Sequence, residues 1–239
     1  MAYGIGLSKT GTHSLAGMLE RECASAHEPC LTPLLRSLVL ADPDKVNPAV
    51  VSLLRARDRT LNLEFESNNV LGTLLLSLHE AMPNAKYVLT VREIRSWLLS
   101  QWMQQLDHTM PRHNKLRFGG RCAYSPQDEK LKDAGLFPAR AYLVYWVEHH
   151  RRVIETIPPE RLYLLPTEEI RGHARRIAEW LGLPGKQIDL ERTRSFVRAK
   201  KPPIDSFIDP AYLDALVSEV CSATLESLKA HGSNRSASW

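Results

Sequence analysis

The sequence predicts an α/β fold with three layers, a parallel sheet carrying helices on both faces. Three observations lead there. Short apolar runs at residues 2–7, 87–91 and 161–165 are each followed by segments with apolar residues at helical spacing. The run Tyr87-Val88-Leu89-Thr90-Val91 is β-branched and apolar, as a central parallel strand is. Strand and helix patterns alternate along the chain, and parallel strands need such crossovers.

The elements follow in order. Ala2 to Leu7 reads as a buried strand, residues 8–12 as a turn, and Leu15, Met18 and Leu19 as the apolar stripe of a first helix. Residues 23–29 read as a second short strand, ended by Pro29. Two helices are expected at residues 33–41 and 48–57. The alternating TLNLEF at residues 60–65 reads as a third strand, and residues 70–81 as one helix. Pro83-Asn84 turns the chain into strand 87–91, and a helix at residues 94–105 follows. Strand 161–165 leads into a helix from Thr167 to Leu181, stopped by Gly182 and Pro184.

Residues 107–137 break the rhythm. They are polar, rich in Arg, Lys and His, and read as a lid or loop over an acceptor. The tail at residues 232–239 is expected to fray. At 239 residues, and about 150 per domain, one domain spanning 1–239 is the expected organisation. A chain of this size buries enough surface to need no disulfide or metal staple.

Composition excludes several classes. Net charge is only +4, too weak for a nucleic-acid binder, yet compatible with a pocket for a small polyanion. The densest apolar stretch, residues 70–78, is too short to span a membrane. The N-terminus shows no secretory pattern. Cys23, Cys30, Cys122 and Cys221 have no CxxC spacing, so neither a zinc site nor a disulfide framework is indicated. A cytoplasmic location is the expectation.

The chemistry begins at Gly6-Leu7-Ser8-Lys9-Thr10-Gly11-Thr12-His13-Ser14, between the first strand and first helix. A glycine-bearing loop at a helix mouth offers backbone N–H groups to an anion. Lys9 adds a point charge, and Thr12 and Ser14 add hydroxyls. The spacing of Gly6 and Gly11 matches the nucleotide loop GxxxxGK[ST], but Thr12-His13 stands where its Lys-Ser/Thr would be. The lysine precedes the glycine, and the usual Mg²⁺ hydroxyl is lost. Such a loop binds phosphate without metal.

A second cationic site is expected where strand 87–91 ends at Arg92. Ser100 lies eight residues on, at most ~12 Å along a helix. The arginine can reach back to share an anion with it. Ser96, one turn earlier, is an alternative, and an ion pair of Arg92 with Glu93 or Glu66 is the plain structural reading.

Together these residues resemble the signature of sulfotransferases that use 3′-phosphoadenosine 5′-phosphosulfate. The family's 5′-phosphosulfate loop has lysine before glycine and threonine, as in Lys9-Thr10-Gly11-Thr12. Its 3′-phosphate motif has an arginine at a strand end and a serine eight further on, as in Arg92 and Ser100. Pro83-Asn84-Ala85-Lys86-Tyr87 and the stretch Tyr163 to Pro184 are also similar to bacterial members. The resemblance implies a P-loop NTPase-like sulfotransferase fold and transfer of a sulfuryl group to a hydroxyl of a small molecule or carbohydrate.

It further implies that Ser8, Lys9, Thr10, Gly11, Thr12, His13 and Ser14 hold the 5′ end, and Arg92 and Ser100 the 3′-phosphate. Arg198, Lys200 and Lys201 would close over that phosphate from a basic loop, although Ala199-Lys200 stands where the family has Lys-Gly. No metal is implied. The base for the acceptor hydroxyl would be Glu28, at the end of the second strand, as in several carbohydrate enzymes. Glu66, at the end of the third, and His27 or His108 are the alternatives. Outside the resemblance, Arg112, His113, Lys115, Arg117 and Arg121 read either as a surface for an acidic or sugar-bearing acceptor or as a flexible solvated loop. The rival readings are a P-loop kinase, which wants lysine after the second glycine and an acidic Mg²⁺ ligand, and a non-catalytic adenosine-bisphosphate binder. Trp97, Trp102, Tyr142, Tyr145 and Trp146 fall at helical spacing and read as core.

Overall fold

The computed structural model describes residues 1–108, 111–194 and 202–232. Arg198, Lys200 and Lys201, expected around the 3′-phosphate, lie outside these residues, as does the tail beyond Gly232. The chain runs β1 (Ala2–Gly4), α1 (Thr12–Leu19), β2 (Ser25–His27), α2 (Leu31–Leu40), α3 (Pro48–Leu61) and β3 (Phe65–Ser67). It continues through α4 (Asn69–Thr73), α5 (Leu75–Ala81), β4 (Lys86–Val91), α6 (Ile94–Asp107) and α7 (Pro111–Phe118). It ends with α8 (Glu129–Asp133), α9 (Ala139–Thr156), β5 (Leu162–Pro166), α10 (Ile170–Leu181) and α11 (Pro210–Gly232). Among the described residues, no helix is long and apolar enough to cross a membrane.

All five strands are parallel, in the order β2-β3-β1-β4-β5. β1 is central, with β3 on one side and β4 on the other. The chain first winds toward β2 and β3, then reverses to β4 and β5. This reversal opens a crevice beyond the C-terminal end of β1, where ligands bind in doubly wound sheets.

The pleat sorts the core into two layers, because successive side chains point to opposite faces. Tyr3, Ile5, Tyr87, Leu89, Leu162 and Leu164 join a large cluster with residues of α3, α5, α6, α9 and α11. Ala2, Phe65, Val88, Tyr163 and Leu165 join a smaller one with residues of α1 and α10. The α/β class with helices on both faces is as the sequence predicts. Trp97, Trp102, Tyr142, Tyr145 and Trp146 are all core.

Three local expectations need correction. The third strand is Phe65–Ser67, because α3 runs on to Leu61. The alternation in TLNLEF is the end of a helix followed by a cap. Asn62 takes the left-handed conformation (φ 47°) that a side-chain amide tolerates at a helix end. Residues 70–81 form two helices, broken at Leu74. Residues 107–137 are not structureless, since α7, a 3-10 turn at Pro126–Asp128 and α8 lie within them. Asp128 closes a capping box with Ser125, and Phe118 packs against Tyr142 and Tyr145.

Candidate active site

The loop between β1 and α1 is shaped by what its glycines leave out. A Cβ on Gly6 would lie 1.9 Å from Thr90 Oγ1, so only glycine lets the loop cross the end of β4. Gly11 is the residue before α1, with φ 88°, and no side chain caps that helix end. Lys9 shares the left-handed conformation, φ 69°, which costs a non-glycine residue on the order of 1 kcal/mol and is met at functional turns.

Three successive carbonyls of the loop are held from behind. Ser8 O accepts from Trp97 Nε1 at 3.0 Å and from Gln101 Nε2 at 2.7 Å. Lys9 O accepts from Arg92 Nη1 at 3.0 Å, and Thr10 O from Thr167 Oγ1 at 2.8 Å. In a trans peptide the N–H points opposite to the C=O. Pulling the Ser8 and Thr10 carbonyls back therefore aims the amides of Lys9 and Gly11 forward, beside the first turn of α1. That is the geometry of an anion-binding nest at a helix mouth.

Thr10 departs from its expected place among the anion's donors. It is fully buried; its hydroxyl donates to Leu7 O at 2.7 Å and pairs with Thr90 Oγ1 at 2.6 Å, and its amide donates to Leu7 O. It braces the turn from inside. Thr12 faces the second strand, with Oγ1 3.2 Å from His27 Nε2. His13 stacks edge-on against His27, with ring centroids 5.0 Å apart. Ser14 is buried in the first turn of α1.

Arg92 leaves β4 directly behind this loop. Besides the bond to Lys9 O, its buried Nε has no hydrogen-bond partner among the described residues. Burial lowers its affinity for the proton, and Glu168 and Glu93 act the other way. A half-buried guanidinium with an unmatched N–H is a donor to an incoming anion. Among the described residues, Arg92 makes neither ion pair of the plain structural reading, with Glu93 or with Glu66. Ser100 is buried on α6, beside Gln101.

The opposite wall is built around Glu28. Glu28 and Cys30, on either side of Pro29, both take left-handed backbone (φ 49° and 47°), so the chain turns sharply after β2. The Glu28 amide donates to Ser67 O at 3.0 Å. Its carboxylate accepts from Asn69 Nδ2, and Asn69 Oδ1 accepts from Arg117 Nη2. Arg117 also donates to Ser8 Oγ at 3.3 Å. A continuous chain, Glu28–Asn69–Arg117–Ser8, thus spans from the second strand to the anion loop. Burial raises the Glu28 carboxyl above the usual range, against the pull of Arg117 and Asn69. His27 lies 3.9 Å from Glu28, but burial and His13 drive its pKa down to about 4. At neutral pH that contact joins a neutral imidazole to the carboxyl and is no ion pair.

Glu66 sits elsewhere. It is 1% exposed and held by both Nη atoms of Arg57, at 2.5 and 2.8 Å, and by Asn68 Nδ2 at 3.0 Å. Arg57 Nη2 also donates to Pro29 O, so this buried pair braces the turn that carries Glu28. Glu66 is therefore turned into the protein and engaged, not open to an acceptor. Removing one partner of a buried pair costs about 3–5 kcal/mol. Arg57→Met should accordingly lower the thermal midpoint strongly. A double variant with Glu66→Leu should recover much of that loss, and unchanged melting of the single variant would show that the pair carries no such weight. His108 follows α6 and is exposed, at the rim of a small cavity that Arg117 also lines.

Sequence reasoning missed Gln101 and Asn69. Gln101 lies within α6 and Asn69 is the first residue of α4, and nothing in spacing separates either from a surface amide.

No protein-family model matches the chain. No curated protein matches it either. Solved structures do. A sulfotransferase from Alicyclobacillus acidocaldarius superposes with a TM-score of 0.56 at 15% identity, over 95% of this chain and 94% of that one. Sulfotransferase STF9 from Mycobacterium avium gives 0.54 at 14% identity, over 93% of this chain and 76% of that one. The chain therefore has the fold that these two bacterial sulfotransferases share.

Proposed function

We propose that the chain is a sulfotransferase that moves a sulfuryl group from 3′-phosphoadenosine 5′-phosphosulfate to a hydroxyl of a small-molecule or carbohydrate acceptor. One observation carries the reading: Arg92, just past β4, donates to the carbonyl of Lys9, in the loop between β1 and α1. That contact joins two cationic elements, each suited to one phosphate of the same nucleotide. The residues fit such a donor. The amides aimed forward at Lys9 and Gly11, the mouth of α1 and the Lys9 charge suit a 5′-phosphosulfate. The unmatched Nε of Arg92 suits a 3′-phosphate.

Sulfuryl transfer is an in-line displacement in which positioning and charge stabilisation dominate, as in phosphoryl transfer. Glu28 accepts the proton of the acceptor hydroxyl as its oxygen bonds to sulfur. The bond from sulfur to the bridging oxygen breaks, and the electron pair leaves with adenosine 3′,5′-bisphosphate. Lys9 and the loop amides stabilise the charge gathering on that oxygen. Asn69 and Arg117 hold the Glu28 carboxylate in place.

Calorimetry tests the donor assignment. A hydrogen bond to a charged group is worth about 1.5–3 kcal/mol, so Arg92→Ala should weaken adenosine 3′,5′-bisphosphate roughly 10- to 100-fold. Adenosine 5′-phosphate should lose little. Equal losses for both nucleotides would mean that Arg92 only props the Lys9 turn, and a wild-type protein that takes up neither would end the proposal.

A further inference from the structure

We propose that the acceptor is an anion, a hydroxylated acid whose carboxylate is received between α6 and α7. The inference rests on the sulfotransferase reading and names its acceptor class.

The receiving site is a small cavity of about 30 Å³, with Gln101, Gln105, His113, Asn114 and Arg117 in its wall. That is room for roughly two water molecules, or for one carboxylate. It adjoins the anion loop, because Gln101 and Arg117 both donate to Ser8. Its wall carries buried donors that no protein acceptor meets. Gln105 Oε1 takes the hydroxyl of Tyr142 at 2.9 Å, which leaves the amide nitrogen as the unmatched end. Arg117 Nε and His113 Nε2 are likewise buried without a hydrogen-bond partner among the described residues. Gln105 Nε2 and Arg117 Nε are N–H donors whichever ring nitrogen of His113 carries the proton; such groups buried and unmatched cost about 1–3 kcal/mol each, and an oxyanion entering here would answer both at once.

The charge around the cavity agrees. No Asp or Glu lies between Asp107 and Asp128, a stretch that carries Arg112, Lys115, Arg117 and Arg121. Of these, Arg121 is paired with Glu148, while Arg112 and Lys115 are exposed on α7 beside Leu116 and Gly119. A cationic wall next to Glu28 would repel no acidic acceptor. It would draw one in, with its hydroxyl toward Glu28 and its charged end toward α7.

The test uses matched probes on the full chain, with and without saturating adenosine 3′,5′-bisphosphate: 4-hydroxybenzoate against 4-hydroxybenzamide, and glucuronate against glucose. At least one acid should bind tenfold or more tightly than its neutral counterpart. Gln105→Leu should reduce that preference at least fivefold while leaving bisphosphate affinity unchanged. If neither acid outbinds its neutral partner, or if Gln105→Leu leaves the preference intact, the assignment is overturned. Water alone in the cavity would give that first result. Failure of the bisphosphate to bind strikes the donor assignment instead, and it is read from a separate titration.

Discussion

Lys9→Ala is expected to lower turnover about a thousandfold while leaving affinity for adenosine 3′,5′-bisphosphate within a few-fold. Removing a single preorganised group at the site of developing charge costs on the order of 10²–10³ in kcat, and a full cation belongs at the upper end. Ground-state binding should be spared if, as proposed, the amides at the mouth of α1 and Arg92 supply most of the grip on the bisphosphate. Single-turnover transfer and calorimetry separate the two quantities. Equal losses in both would strip Lys9 of its transition-state role and leave it a plain binding residue.

Glu28→Gln should reduce turnover by roughly 10²–10⁴, the usual span for a positioned general base, with bisphosphate affinity intact. The amide keeps the size of the side chain and can still bond Asn69, so the fold has little reason to change. The pH profile gives a second readout. Burial raises the Glu28 carboxyl, and the base works only when deprotonated. Turnover should therefore climb with pH through an interval above the ordinary carboxylate range and then level off. A side-chain amide cannot titrate, so the variant should lose that limb as well as the rate. Full activity in Glu28→Gln would send the search for the base elsewhere. Glu66 would be a poor next candidate while Arg57 holds both of its oxygens.

The parts of this site that were legible in the sequence are those where backbone and chemistry coincide. Gly6 and Gly11 are forced by close approach and by a left-handed φ, and Arg92 follows a continuous apolar, β-branched run that reads as a buried strand. Thr10 misled because a hydroxyl beside a phosphate loop looks alike whether it turns toward the anion or toward Thr90. The break at Leu74 and the cap at Asn62 were hidden for a related reason. Apolar residues continue across both, and only the backbone changes direction. α7 was out of reach of pattern reading, since Leu116 and Phe118 alone cannot declare a stripe in PRHNKLRF. Its place is set by Phe118 among Tyr142 and Tyr145, a contact made across the fold.

The two walls of the crevice differ in how firmly they are rooted. α1 is buried along nearly its whole length, so the side that carries the anion loop is formed before any ligand arrives and little entropy is lost in ordering it. α7 rests on one aromatic anchor and a few polar ties. Substrate range should therefore be the easily altered property of the proposed sulfotransferase. A segment exchange across residues 107–137 should retarget it, provided the incoming segment keeps the Arg117 ties to Ser8 and Asn69.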